Sequence, residues 1–488
     1  MDNAILLFLF SNGKNCNQIN FLTDFISIFN IFNMQQQLRQ LRDLMLNNTT
    51  PIYFIDWCLF TALGMEQYIG NIQFICSTDN FYGQHPNIFV PKTFIYNHQH
   101  TSEQILNALL QNAEVREHIK SRGPGKLLTW LLDEESERLA AELDLEICLP
   151  SVQLRLHWDN KINTNRLAEK AGVPCVPYII SAIENYEQLC SITAHLGENL
   201  VVQMPHGMAG ETTFFIANEK DFDSCKDEIC NGEEMKIMRR INCRAAGLEA
   251  CITKHGTVAS PLLVELFGLP ETNIYKGGWS GDEFFPNAFP NHIIQSAMEY
   301  AVKMGEALRS VGYKGYFEPD FLIDEDTDNL YLGEMNLRFS GFTPLVNNTN
   351  QAVNEIPLFL LHLAEWLDVE YELDVYVLNN YWIEQQNLRT LSFLHVKNVE
   401  DALAVPIPTG IYRMDDSENV IFERFGLSPQ YIQSDNEIFW FSTSAKDSTI
   451  GRGEELGAFF LPARVTNDGK NLNSKAKAWI KGLLAVPR

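Results

Sequence analysis

Short apolar runs alternate with helical segments in the first third of this chain, and this alternation constrains the fold most. The runs "PIYFID" (51–56), "NIQFIC" (71–76) and "NIFVP" (87–91) have the length and composition of buried strands in a parallel sheet. Farther along, Ser102 to Asn112 has helical spacing and a capping serine. Strands that alternate with helices predict an open α/β sheet.

The composition is that of a globular protein with sizeable cores. Of the 488 residues 45% are hydrophobic, and the length suffices for about three domains. The net charge is -25 and the pI is near 4.8, so the chain repels a phosphate backbone and we expect no nucleic-acid partner. The ten cysteines include no C-x-x-C pair, which indicates reduced thiols and a cytoplasmic location.

Residues 1–33 are rich in apolar side chains but too interrupted to span a membrane. The first apolar run has about six residues and Asp24 breaks the second, whereas a span needs roughly 20. The start is not basic and has no clear cleavage site, unlike a signal peptide. We predict a strand from Ile5 to Phe10, a turn and an amphipathic helix, with Met34 as an alternative natural start. No membrane partner is expected.

A helix and a glycine-bearing turn follow in the middle of the chain. The helix runs from about Lys161 to Lys170 and stops at Gly172. Two apolar strands, Val201 to Met204 and Thr212 to Ile216, flank the turn "HGMAG". Glycine lets backbone N–H groups approach an anion, so such a turn can cradle phosphate, although most glycine hairpins are only hairpins.

Polar residues interrupt a predicted hairpin, Gly315 to Gly341, at every second position. Glu334, Asn336 and Arg338 share one strand face, because side chains two apart in a strand project the same way. An aspartate-rich turn folds the two runs together, which sets Asp320 across from the later carboxylate. A solvated strand face is the alternative interpretation.

The residue types on that face suit a metal and an anion. Carboxylate and amide oxygens from Asp320, Glu334 and Asn336 are the ligands that Mg²⁺ or Mn²⁺ prefers. Arg338 beside them can hold a phosphate or a carboxylate through two hydrogen bonds. The stretch therefore predicts a metal-nucleotide site.

Two segments together resemble the ATP-grasp superfamily. They are "DNK…AGVPCVP", from Asp159 to Pro177, and "EMNLR", from Glu334 to Arg338, separated by a glycine hairpin, a strand pair and a helix. The chain resembles in particular the branch of biotin carboxylase and the carboxylate–amine ligases. The resemblance implies an α/β and α+β ATP-grasp fold with an N-terminal open α/β (pre-ATP-grasp) domain and a C-terminal β-rich closing domain.

The resemblance also implies three domains. They are residues 1–150, residues 151–350 with a lid at about 178–240, and residues 351–488. Within this division we interpret the acidic segment from Arg122 to Leu149 as a surface helix that joins the first two domains. The closing domain completes the pocket, and a homodimer through its surface is left open.

Functional roles carry over from the family residue by residue. ATP is expected at Lys161, Gln203, His206, Gly207, Gly210, Arg239, Arg240 and Ile241. The metal ligands are Asp320, Glu334 and Asn336, the catalytic residues are Arg338, Lys161 and Glu249, and the substrate contacts are Arg338, Ser340, Gly341 and Trp279. Surface charge is the alternative for both hinge arginines, a barrel-edge position for Glu249, and burial for Trp279. Gln203 departs from the family, which places a second phosphate-binding lysine there.

The implied activity is an ATP-dependent carboxylate–amine ligase. It converts a carboxylate to an acyl phosphate and then to an amide, releasing ADP and phosphate, and its small-molecule substrates are expected to be amino acids. A biotin carboxylase-like enzyme that uses bicarbonate is one alternative, but "FSGFTPLVNN" replaces that group's valine-glutamate-histidine-proline run. An inactive, regulatory nucleotide-binding module is the other, because Gln203 removes a positive charge.

Overall fold

The computed structural model of this chain describes residues 21–94, 100–207, 212–275, 277–351, 356–386 and 388–486. The strand predicted from Ile5 to Phe10 lies outside the described residues. No helix in the described ranges is both long and apolar enough to cross a bilayer.

The N-terminal part is a parallel sheet with helices packed around it, as the alternating pattern predicts. Its strand order is β3-β2-β1-β4-β5, and every neighbouring pair is parallel. All five residues of the central strand are buried. The elements are α1 (Phe21–Leu46), β1 (Ile52–Asp56), β2 (Ile72–Cys76), β3 (Ile88–Phe89), α2 (Ser102–Gln111), α3 (Ala113–Arg122), β4 (Gly125–Leu128), α4 (Glu134–Glu142) and β5 (Leu145–Ile147), with 3₁₀ turns at Phe60–Ala62 and Met65–Gln67.

Two predictions in this part are wrong. The segment from Arg122 to Leu149 is not a connector on the surface, because β4 and β5 within it complete the sheet on either side of α4. Strands of four and three residues are too short to show a periodic pattern. The cap of α2 is Thr101 rather than Ser102, and Thr101 and Gln104 form a reciprocal capping box.

A small antiparallel sheet forms the predicted lid. Its order is β6-β9-β7-β8, and Ile183, Leu189, Val202, Phe222 and Ile237 are part of its separate core. The predicted strands on either side of the glycine turn are present, and residues 208–211, including Gly210, lie outside the described residues. The elements are α5 (Val152–Trp158), α6 (Lys161–Ala171), β6 (Tyr178–Ser181), α7 (Tyr186–Ile192), β7 (Leu200–Gln203), β8 (Thr213–Ile216), α8 (Glu219–Asp223), α9 (Lys226–Ile229) and β9 (Met235–Arg239).

The rest of the described chain builds one large sheet and its flanking helices. Its order is β12-β11-β15-β10-β13-β14-β17-β21-β20-β18-β19, with β16 paired to β15. The elements are β10 (Cys243–Gly247), β11 (Ala250–Thr253), β12 (Gly256–Ala259), β13 (Leu263–Phe267), β14 (Trp279–Phe284), α10 (Asn291–Ser310), β15 (Gly315–Asp324), β16 (Leu330–Asn336), α11 (Thr343–Gln351), α12 (Leu358–Trp366), α13 (Val375–Gln386), β17 (Leu391–Lys397), β18 (Gly410–Met414), β19 (Val420–Arg424), a 3₁₀ turn at Pro429–Tyr431, β20 (Glu437–Ser442), β21 (Glu455–Leu461) and α14 (Ser474–Ala485).

The C-terminal strands belong to the same sheet as the predicted metal hairpin. Strand β14 pairs with β17, so that Asp282 lies opposite Phe393 across the predicted boundary at residue 350. The predicted β-rich character of the C-terminal part agrees with these strands. The division into three domains stays a prediction, because hydrogen bonds continue through the sheet across that boundary.

A buried histidine fixes the N-terminal sheet to the large sheet. The Nδ1 atom of His362 accepts a hydrogen bond from the backbone N–H of Tyr316 at 3.0 Å, so Nε2 carries the proton and donates to the Cys148 carbonyl at 2.7 Å. Burial lowers the pKa of His362 to about 4, and the ring is therefore neutral at pH 7. These bonds place the segment that follows β5 next to the start of β15.

We expect that Gly281→Ala destabilises the protein by about 3 kcal/mol. Gly281 has φ 134°, and a Cβ there would lie 2.1 Å from the Phe393 carbonyl oxygen of β17. Gly277→Ala is the matched control, since a Cβ at Gly277 meets nothing within 4 Å. Urea unfolding of the two variants measures the difference, and equal stability would contradict the close packing of β14 on β17.

Candidate active site

The hairpin of β15 and β16 brings two carboxylates face to face. Asp320 pairs directly with Glu334, and Glu318 pairs with Asn336 in the same register. The Asn336 amide donates to Asp320 Oδ2 at 3.0 Å, whereas Asp320 Oδ1 is buried without a hydrogen-bond partner. The predicted alternation is present, because these side chains are on the partly open face. The intervening Met335, Leu337 and Phe339 are buried on the other.

Lys161 balances the Glu334 side of this pair. It is the first residue of α6, whose N-terminus is capped by Asn160. Its Nζ lies 3.0 Å from Glu334 Oε2 and donates to the Gly207 carbonyl at 3.2 Å. The lysine is buried, so the ion pair is little screened by solvent. One cation thus connects the lid turn to the carboxylate pair.

Lys236 is a second cation that the sequence analysis missed. It is fully buried on β9 directly opposite Gln203, and its Nζ donates to the Gly333 carbonyl at 3.0 Å. Burial lowers the pKa of Lys236 to about 8, while the nearby Glu334 opposes that shift. The positive charge absent at Gln203 is therefore supplied by the paired strand. The only signal in the sequence is a lysine inside the apolar strand "MKIM".

Arg338 lies between the hairpin and the N-terminal sheet. Its Nη2 donates to Asn336 Oδ1 at 2.9 Å, and its guanidinium lies 5.7 Å from the Trp130 ring centroid. Trp130 is held by its own indole N–H, which donates to the Phe339 carbonyl, and by Asp56, which accepts from its backbone N–H. Arg338 Nε is buried without a partner, so the group retains a donor for a ligand.

Glu249 lies behind the hairpin in a fully buried polar cluster. Its Oε1 accepts hydrogen bonds from the hydroxyls of Ser340, at 3.0 Å, and Thr343, and its Oε2 has no partner. Burial raises the pKa of Glu249 to about 7, which the hydroxyl donors partly offset. The Ser340 hydroxyl, predicted to contact substrate, is committed to Glu249.

Trp279 forms a partly exposed wall beside this cluster. Its ring packs against Gly341, where a Cβ would lie 2.6 Å from the indole, and near the rings of Phe393 and His395, 5.6 Å away each. Its Nε1 donates to Asp282 Oδ1 at 3.1 Å. Gly341 therefore has a steric role in seating Trp279, and Trp279 is neither fully buried nor free in solvent.

The carboxyl groups form one acidic face across four strands. The register sets Glu265 opposite Asp282, and Gly247 opposite Asp320. Burial, followed by repulsion from neighbouring carboxylates, holds the pKa of Asp320 and Glu265 well above the usual range. Burial also holds the pKa of Asp282 well above that range, against the opposing effect of the Trp279 hydrogen bond. We define the acidic face by its carboxyl groups: Glu265, Asp282, Glu318, Asp320 and Glu334.

A divalent metal fits one end of this face. Asp320 and Glu334 are opposed oxygen donors, and Asp320 Oδ1 is an orphaned buried atom beside the Asn336 amide. In the part of the chain that the structure describes, no group of three or more His, Cys, Asp or Glu residues is arranged to hold a metal alone. The predicted metal therefore needs phosphate or water oxygens as well, which is typical of Mg²⁺.

Apart from Lys236, the lid residues near the carboxylates are backbone and apolar groups, and the two lid arginines lie elsewhere. His206 contacts the capping Asn160 at 3.1 Å. Arg239 and Arg240 are exposed, and Arg240 packs over Phe215, so the structure does not bring them to the carboxylates. Ile241 packs in an apolar cluster between the lid and the large sheet that includes Val176, Val201, Met238, Leu322 and Tyr331. The functional roles of all these residues stay predictions.

Solved structures share this architecture over most of the chain. A biotin carboxylase from Campylobacter jejuni covers 88% of this chain and 90% of its own, with a TM-score of 0.58 and 15% identity. An N5-carboxyaminoimidazole synthase from Aspergillus clavatus, solved with ADP, covers 86% and 96%, with a TM-score of 0.53 and 13% identity. The chain has the ATP-grasp fold. The predicted fold class is confirmed.

In sequence, the chain matches a curated relative only distantly. The "[Butirosin acyl-carrier protein]--L-glutamate ligase" of Niallia circulans is 26% identical over 242 residues, which are 47% of this chain and 55% of that protein. The match thus spans about half the length of that relative. No family model matches the chain. A third ATP-grasp neighbour, the biotin carboxylase domain of a Hydrogenobacter thermophilus 2-oxoglutarate carboxylase, has MgADP and bicarbonate bound, with a TM-score of 0.56, 13% identity and coverage of 86% and 87%.

Glu318→Gln is expected to flatten the pH dependence of stability in the ligand-free protein. Burial raises the pKa of Glu318 from 4.5 to about 8, so the folded protein keeps a proton that the unfolded chain releases. The free energy of unfolding then falls as pH rises between these values, by at most about 1.4 kcal/mol per pH unit for this group. Urea unfolding from pH 5 to pH 8 measures the slope.

The exposed Glu400 supplies the control, because Glu400→Gln makes the same chemical substitution at a side chain in contact with solvent. It should retain the wild-type slope. An equally steep slope in Glu318→Gln and wild type would contradict the assignment.

Proposed function

We propose that the chain is an ATP-dependent carboxylate–amine ligase that forms an amide through an acyl phosphate. The observation that carries this proposal is the opposed pair Asp320 and Glu334, with Lys161 bonded to one side and Arg338 close to the other. Phosphoryl transfer needs cations around the transferred group, and this arrangement supplies them. The ligase activity of the Niallia circulans relative supports the same reaction class.

In this proposal ATP binds between the lid and the large sheet. Lys161 and Lys236 approach the phosphates from the lid side, beside the N-terminus of α6, whose dipole favours an anion. Adenine occupies the apolar slot that contains Ile241, Leu322 and Tyr331. Leu322 shares a strand face with Asp320, which places the slot next to the metal ligands.

Asp320, Glu334 and Asn336 would hold Mg²⁺ or Mn²⁺, which would supply positive charge to the phosphate oxygens. Arg338 orients the substrate carboxylate, whose oxygen attacks the γ-phosphorus as the bond to ADP breaks. The neutral amine nitrogen then attacks the acyl carbon, phosphate leaves with the electron pair of the C–O bond, and the proton that the nitrogen loses passes to the departing phosphate. The lid turn around Gly207 excludes water from the acyl phosphate.

A bicarbonate-using carboxylase is the second candidate, because two of the structural neighbours are biotin carboxylases or their domains. The acidic face argues against it here. Glu265 and Asp282 are directly opposed carboxyls with no cation bonded to either among the described residues, so this part of the face offers a bicarbonate anion no positive partner. An ammonium group would find oxygen acceptors there.

The deciding experiment measures ADP release by the full chain with ATP, Mg²⁺ and pairs of free amino acids, and separately with bicarbonate. We expect release that depends on an amine, with loss of at least about 100-fold in Glu334→Gln. Release that depends on bicarbonate would establish the carboxylase instead. ATP binding without turnover under every condition would establish a regulatory module.

Lys236→Met is expected to raise the KM for ATP by about tenfold or more while the folded protein becomes no less stable. KM rises because a phosphate contact is lost. Stability does not fall, because the variant no longer buries a cation whose partner is one backbone carbonyl. Lys226→Met, which removes a half-exposed lysine of the same lid, is the control and should leave KM unchanged. Equal KM values for both variants would show that Lys236 does not bind phosphate.

A further inference from the structure

The acidic face extends beyond the two metal ligands. Glu265 on β13 and Asp282 on β14 are directly opposed, one strand pair away from the Gly247–Asp320 pair. They share the face of Asp320, because Gly247 also pairs with Leu263, two residues before Glu265. The proposed phosphate and metal contacts leave this half of the face unused.

Among the described residues, both carboxyl groups lack a cationic partner. Asp282 is fully buried, and although Oδ1 accepts from Trp279, its Oδ2 has no hydrogen-bond partner. Glu265 is partly exposed, and its side chain forms no hydrogen bond or ion pair with another described residue. Buried carboxylates are normally paired, since an unpaired one loses its hydration without compensation. An arrangement that is costly in the free protein is expected where a ligand supplies the missing partner.

The nearby lysines and arginine do not supply the missing cationic partner of Glu265 and Asp282. Lys161 is bonded to Glu334, Lys236 to the Gly333 carbonyl and Arg338 to Asn336, all at the metal end of the face. The aromatic ring of Trp279 lies beside Asp282 and is partly exposed. An indole face attracts an organic cation, so this corner combines two features that recognise an ammonium group.

We propose that Glu265, Asp282 and Trp279 bind the α-ammonium group of an amino-acid substrate. This assignment rests on the proposed ligase function, to which it adds the substrate class. Two sources share this chemistry: the amino acid that is activated at its carboxylate, and the amino acid whose ammonium group gives one proton to a carboxylate of this pair and then attacks the acyl phosphate as a neutral amine. In either case neutral amines and N-acylated amino acids are discriminated against, because they leave both carboxyls unpaired.

The test measures amino-acid binding by calorimetry, with the full chain saturated with MgADP. A thermodynamic cycle combines one change in the ligand with one change in the protein. Each of the twenty common amino acids is compared with its N-acetyl and its C-amide form. For the amino acid that binds best, we expect N-acetylation to weaken binding at least tenfold in wild type. Asp282→Asn should weaken the free amino acid by a similar factor, and N-acetylation should then cost little more, because both changes remove one interaction.

The C-amide form separates the two sources. Binding of the C-amide equal to that of the free acid assigns the site to the attacking amino acid. Binding lost on amidation assigns it to the activated one, whose carboxylate must meet Arg338. Asp401→Asn is the control for net charge, since Asp401 is exposed and pairs with Arg452 at the surface, and its affinities should match wild type.

Stability distinguishes recognition from a structural role. Asparagine keeps an oxygen that can accept from Trp279 Nε1, so Asp282→Asn should unfold at the same temperature as wild type or higher. Should Asp282→Asn fail to fold, Glu265→Gln takes its place in the cycle with the same expected losses.

Three results would overturn the proposal. They are undiminished amino-acid binding in both variants, absence of binding by any amino acid when MgADP does bind, and loss of a Mn²⁺ site in Asp282→Asn, which would show that the face holds a metal there. The cycle needs no turnover. A chain that binds the ammonium group but releases no ADP with any amine therefore fails the ligase proposal alone.

Discussion

The pairing of β15 with β16 is the constraint on which the rest of the site depends. It sets Asp320 directly opposite Glu334, and two ionised carboxylates at that separation repel each other in a poorly hydrated place. Protonation of Asp320, whose pKa is held well above the usual range, or a nearby cation relieves this repulsion, and the chain brings Lys161 to Glu334 from a different element. In the proposed function a divalent cation between the two carboxylates would relieve the same repulsion.

The surrounding elements are arranged to complete that cation environment. The lid supplies Lys236 from β9, and the N-terminal sheet supplies Trp130, which lies over Arg338. His362 fixes the two sheets to each other, so the wall around Arg338 does not depend on a loop alone. Positive groups concentrate at one end of the acidic face and unpaired carboxyls at the other. This asymmetry suits a reaction in which an anionic nucleotide and an ammonium-bearing substrate meet along one sheet.

Local patterns predicted the elements, and pairing between distant segments decided the site. The alternation at Glu334 and Asn336 and the helix starting at Lys161 are properties of short windows, so the sequence alone was sufficient for them. Gln203 lies opposite Lys236, and Glu265 lies opposite Asp282, because of the register between paired strands. No local sequence pattern determines that register. The predicted loss of positive charge at Gln203 was therefore incomplete, because it left out Lys236, which lies opposite Gln203 on β9. The short strands within residues 122–149 were missed because they have too few residues to show a period.

The positions of the bound metal and nucleotide show most directly whether Asp320 and Glu334 form the metal site. Crystals of the full chain grown with Mn²⁺ and a non-hydrolysable ATP analogue, measured at the manganese absorption edge, would locate the metal by its anomalous signal. We expect a manganese peak about 2.2 Å from one carboxylate oxygen of Asp320 and one of Glu334, at an ion that also contacts the terminal phosphate. Manganese and nucleotide bound together away from both carboxylates would contradict it.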